Sequence, residues 1–149
     1  MRFSEFCASS GDEVAEALAN ALTLGSGRLA YAARLVTDDG EAGGVVRSLD
    51  RAIEALLQAL QLLGDQAADA VPAPDLTDTP VPPSHHWEEF LASRTTATEA
   101  TAFRTALIDA LERARYAGTA LLEDSDIETI ALQVAAAVTA LREARRIVI

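Results

Sequence analysis

The 149 residues carry 23 acidic and 12 basic side chains, a formal net charge of −11, and every basic one of the latter is arginine. Such a surface repels phosphate backbones and anionic membranes, which argues against nucleic-acid and membrane-surface binding as general roles. Half of the residues are hydrophobic, only 5% are aromatic and alanine is the commonest, a composition that favours closely packed helices over a thick aromatic sheet core.

Phe3, Phe6 and Cys7 fall at i, i+3 and i+4 and suggest a short N-terminal turn lying over a core. Ser10 and Glu13 have capping-box spacing and are read as the start of the first long helix. Its apolar face runs through Val14, Leu18, Ala21, Leu22, Leu29, Ala32 and Val36, with a kink or close crossing expected at Gly25-Ser26-Gly27. Asp38-Asp39-Gly40 ends it. The second helix has the clearest pattern: Val46, Leu49, Ile53, Leu56, Leu60 and Leu63 are spaced 3, 4, 3, 4, 3. Gly64-Asp65 stops it.

All five prolines lie between Pro72 and Pro83, so the segment 65–83 reads as an extended crossover linker. Ser84 is read as the cap of a third helix, with Glu88 and Glu89 in its first turn. A second capping signal, Thr96 with Glu99, implies a break between Ser93 and Thr98. The main helix then carries Phe103, Leu107, Ala110, Ala114, Ala117 and Leu121. Glu123-Asp124 turns the chain, Ser125 and Glu128 form another capping box, and Ile127, Ile130, Val134, Ala137, Leu141, Ala144 and Val148 line the last helix. The short turns make the helices of each pair antiparallel neighbours.

The fold class is therefore all-α: a single domain, 1–149, forming a four-helix bundle of two antiparallel helical hairpins, 10–64 and 84–149, joined by a Pro-rich crossover linker. No register matches the two hairpins well enough to read them as duplicates. With no secretory signal at Met1 to Ser10, and Ile127 to Leu141 shorter than the roughly 20 apolar residues of a membrane span, the expected location is the cytoplasm.

No catalytic constellation and no cofactor motif stands out. The string His85-His86-Trp87-Glu88-Glu89 offers His85, His86, Glu88 and Glu89 as candidate metal ligands, since imidazole and carboxylate together suit zinc or iron. Its bland reading is a helix start whose Trp87, Phe90 and Leu91 pack on the core. Gly25-Ser26-Gly27-Arg28 follows a helical pattern and not a strand, so the context of a phosphate loop is missing and a kink or close packing is expected instead. Cys7, alone among apolar neighbours, reads as an inert thiol. Arg142, Arg145 and Arg146 complement the dipole of the last helix, or together with Ile147 and Ile149 form a docking contact.

The function expected from these features is non-catalytic: a protein–protein interaction or assembly bundle, such as a small regulatory or immunity-type binder. Its partner is another protein or a second copy, a homodimer being favoured. The alternative is a small metal- or ligand-binding helical-bundle enzyme with its site near His85–Glu89.

Overall fold

The computed structural model describes residues 1–64 and 85–149; the linker 65–83 and Ser84 lie outside the described residues. The described residues form six helices in chain order and no strand: α1 (Phe3–Ser10), α2 (Asp12–Thr37), α3 (Ala42–Leu63), α4 (Trp87–Arg94), α5 (Ala97–Leu122) and α6 (Ile127–Val148). The all-helical class stands, and the number of helices is corrected from four to six. Two short helices appear where the patterning gave a mere turn and a kink. Gly11, with φ of 95°, separates α1 from α2, while Thr95 and Thr96, both extended, separate α4 from α5.

Helices α2 and α3 pack along each other about the turn 38–41, α5 and α6 do the same about 123–126, and the pairs meet through α3 on α6 and α2 on α5. A continuous core draws buried residues from all six helices. Its members are the apolar stripes expected from spacing, including Leu18, Leu29, Leu49, Ile53, Leu56, Ile130, Val134 and Leu141. Gly25 is no kink: α2 runs unbroken through it. It marks a close crossing, for a Cβ built there meets Leu56 Cδ2 at 2.7 Å.

Only one of the three capping boxes exists. Thr96 Oγ1 accepts the Glu99 N–H at 3.2 Å and Glu99 Oε1 accepts the Thr96 N–H at 3.0 Å. Ser10 instead closes α1, and the residue before α2 is Gly11. Asp126, not Ser125, precedes α6 and makes no side-chain cap. Distant backbone satisfies that helix start: the Ile127 N–H donates to Met1 O at 2.8 Å and the Phe3 N–H donates to Ser125 O at 3.0 Å.

The same clasp recurs at the other turn. The Ala42 N–H donates to His85 O at 2.8 Å and the Trp87 N–H donates to Gly40 O at 2.7 Å. Arg2 pairs with Asp126 and Glu41 with His86 as isolated antiparallel bridges. The two turns carry left-handed aspartates, Asp39 at φ 52° and Asp124 at φ 55°. Each carboxylate caps the start of a short helix from the other half: Asp39 Oδ1 accepts the Glu88 N–H at 2.8 Å, and Asp124 Oδ1 accepts the Ser4 N–H at 2.6 Å.

These coincidences are one repeat. Helices of 8, 26 and 22 residues follow one another twice. The second set is displaced by 84 positions for the short helix and 85 for the two long ones. Phe6 corresponds to Phe90, Leu22 to Leu107, Ala32 to Ala117, Leu56 to Leu141 and Ala59 to Ala144, all buried. Ser9 and Ser93 even make the same bond, each hydroxyl donating to the carbonyl three residues back. The reading that the hairpins are not duplicates is thus overturned. The repeat escapes the eye because most equivalent core positions exchange one apolar residue for another and the junction gains a residue at Thr95.

Candidate interaction surface

The string His85–Glu89 sits on the turn between α2 and α3. His86 Nδ1 lies 3.0 Å from Asp39 O, and Glu88 pairs with Arg104 of α5 at 3.2 Å. Trp87 is fully buried, its ring centroid 5.0 Å from that of Phe103 and 5.7 Å from that of Phe90. Its Nε1 has no hydrogen-bond partner among the described residues. His85, His86, Glu88 and Glu89 are all exposed. No group of three His, Cys, Asp or Glu side chains converges as a metal site among the described residues. The string's local order is explained by the clasp.

The C-terminal arginines are engaged within the chain. Arg145 Nε donates to Asp50 Oδ1 at 2.7 Å, joining α6 to α3, with each side chain only 18% exposed. Arg146 pairs with Glu143 at 2.6 Å, and that hydrogen bond holds the Glu143 carboxyl below its ordinary range. Arg142 is half-buried and has an interaction of its own. Ile147 packs against the core, Val148 is buried and Ile149 is exposed.

Cys7 is half-buried, and its thiol is held above the ordinary range by burial and then by the carboxylates of Asp12 and Asp124. Only the thiolate is nucleophilic. Alkylation by iodoacetamide at pH 8 is therefore expected to run several-fold slower in the folded protein than in the urea-unfolded chain, as followed by intact mass; equal rates would remove the case for an inert thiol.

A different surface emerges when the two repeats are laid over each other. On α5, the half-buried Asp109 and Arg113 and the exposed Tyr116 form an edge beside α6. Arg113 Nε donates to both carboxylate oxygens of Asp109, at 3.1 and 3.3 Å, and its Nη1 donates to Gln133 Oε1. The equivalent residues on α2 are Leu24, Arg28 and Tyr31. Arginine and tyrosine are retained, but leucine replaces the aspartate. Arg28 consequently has no ion-pair partner among the described residues, and neither has Arg34 two turns further along. Leu24 is 50% exposed and Tyr31 51%, both large for apolar and aromatic side chains.

The chain matches no family model, no curated protein and no solved structure. Among the described residues no helix is long and apolar enough to cross a membrane. The α2 edge is not legible in the sequence because its significance lies in a comparison with α5 that needs the repeat. The one available signal was the recurrence of Arg-x-x-Tyr at 28–31 and 113–116.

Proposed function

We propose that this chain is a non-catalytic protein-interaction module that docks a partner on the outer edge of α2, through Leu24, Arg28 and Tyr31. We read its four long helices as a four-helix bundle that serves as a rigid frame, with α1 and α4 as end pieces. The observation that carries the proposal is the substitution of Leu24 for the aspartate that neutralises the equivalent arginine on α5. A guanidinium with no ion-pair partner among the described residues, set between an exposed leucine and an exposed tyrosine, is the composition of an interface anchor, where Tyr and Arg are enriched. On a chain of net charge −11, cations without an ion-pair partner among the described residues at Arg28 and Arg34 call for an acidic contact surface on the partner. A second copy of this acidic chain meets that description, as does a separate acidic protein in the manner of a regulatory or immunity-type pair. The cytoplasm is the compartment proposed for it.

The test compares Tyr31→Ala and Arg28→Glu with Tyr116→Ala. All three positions are surface ones, so folding stability is expected to stay within about 0.5 kcal/mol of wild type. Light scattering reports self-association, and capture with the tagged native chain reports any other partner. Loss of about 2 kcal/mol at an anchor weakens binding roughly 30-fold. The expected result is that Tyr31→Ala and Arg28→Glu lose the partner, whether a second copy or another protein, while Tyr116→Ala keeps it. Binding that survives both α2 variants, or that fails equally with Tyr116→Ala, would remove the proposal.

A further inference from the structure

We infer that this protein is a fused dimer, and that the surface each half turns to the other is built to receive a second copy of the same three-helix unit. The inference is independent of the α2 edge. Residues 1–64 form the first unit, α1–α2–α3, and residues 85–149 the second, α4–α5–α6.

The clasps and caps that join the units come as exchanged pairs, as in a two-fold dimer, where residue i meets j and j meets i. The N-terminal residues of the first unit clasp the α5–α6 turn through Arg2 and Asp126, and those of the second clasp the α2–α3 turn through His86 and Glu41. Asp124 caps α1 while Asp39 caps α4. The two largest junctions between the units are α2 on α5 and α3 on α6, in each case a helix against its own counterpart. A pseudo-two-fold axis perpendicular to the helices accounts for the clasps, the caps and these two junctions. It runs α2 antiparallel to α5 and puts the two turns at opposite ends. Arg145–Asp50 adds a polar contact across the same boundary in one direction only, since Leu60 and Ala135 stand at the equivalent positions.

This topology sets the length of the covalent connection. Gly64 lies at the far end of α3, whereas His85 is bonded to Ala42 at its start. Gly64 and His85 are therefore separated by about the length of a helix of 22 residues, about 33 Å at 1.5 Å per residue. Deleting residues 67–82 leaves Asp65, Gln66, Pro83 and Ser84, whose five steps from Gly64 to His85 reach about 18 Å fully extended. The units of one chain can then no longer meet. If the interface recognises the unit and not the covalent neighbour, the first unit of one chain pairs with the second unit of another.

The experiment is light scattering and far-UV circular dichroism on the full chain and on the chain lacking 67–82. The expected result is a doubling of the number of chains in the particle with helicity per residue unchanged. A compact, fully helical species with only one chain for every chain in the wild-type particle would overturn the inference. Should the shortened chain fail to fold, the full-length chain with a protease site inserted after Pro74 decides. After cleavage in the folded state, the two pieces are expected to coelute, and to re-form a 1:1 particle on dilution from urea. Pieces that separate, or that refold singly, would overturn it.

Discussion

Trp87→Ala is expected to lower folding stability by about 3–5 kcal/mol, the range for truncating a fully buried large aromatic. For a chain of this size that amounts to a fall in Tm of roughly 6–20 °C. The side chain is wholly excluded from solvent and lies against the rings of Phe90 and Phe103. Its loss opens a void where α4 meets α5 and the α2–α3 turn, so the second unit and the clasp both suffer. Trp87→Phe separates volume from polarity. The buried Nε1 has no acceptor among the described residues, and an unsatisfied buried N–H costs about 1–3 kcal/mol. Phenylalanine removes that cost while sacrificing part of the ring packing, and the repeat already places Phe3 at the equivalent position. Trp87→Phe is therefore expected within about 1 kcal/mol of wild type in urea denaturation followed by circular dichroism. A loss as large as that of Trp87→Ala would show that the indole N–H is held by a partner after all.

The same residue shows what a sequence reveals and what it withholds. Trp87, Phe90 and Leu91 declare their burial by spacing alone, as do the stripes on the four long helices, because apolar periodicity is written along one segment. Thr96 and Glu99 declare a helix start for the same reason: both bonds of the capping box are local. Ser10 with Glu13, and Ser125 with Glu128, carry identical spacing without the bonds. In the second case the start of α6 is met by the backbone of Met1, more than a hundred residues away. No pattern within the segment encodes that. The candidate surface was hidden in a further way. Leu24, Arg28 and Tyr31 are unremarkable on one amphipathic helix, and become informative only when Asp109 is seen to occupy the place of Leu24 beside Arg113. The histidine string was conspicuous by composition, yet its neighbours in space are a turn carbonyl and an arginine.

Asp39→Ala and Asp124→Ala are each expected to cost about 1–3 kcal/mol, and the reasoning lies in the double duty of these residues. Each sits in the left-handed region, which costs most side chains about 1–2 kcal/mol and which aspartate tolerates through local hydrogen bonding. Each also supplies a helix cap from a distant turn, a contribution of about 0.5–2 kcal/mol. Glycine at the same positions separates the two effects, since it is free of the backbone strain and lacks the cap. Asp39→Gly is thus expected to lose less than Asp39→Ala, and Asp124→Gly less than Asp124→Ala. Asparagine keeps an acceptor and the left-handed tolerance but gives up the charge at the helix N-terminus, a loss of about 0.3–1 kcal/mol. The two ends differ in one respect. Asp124 also accepts the Ser4 hydroxyl at 2.9 Å, while the side chain of Glu88 is drawn to Arg104 and adds nothing to Asp39. Asp124→Ala is therefore expected to be the more costly, and Ser4→Ala to erase most of the difference. The clasps stand at opposite ends of α2, so in denaturant titration the double variant Asp39→Ala/Asp124→Ala is expected to equal the sum of the singles within about 0.5 kcal/mol. If alanine and glycine prove equivalent at both turns, the left-handed backbone carries no cost there; if all six variants match wild type, the caps do not hold the short helices, and the exchange of α1 and α4 rests on their buried rings alone.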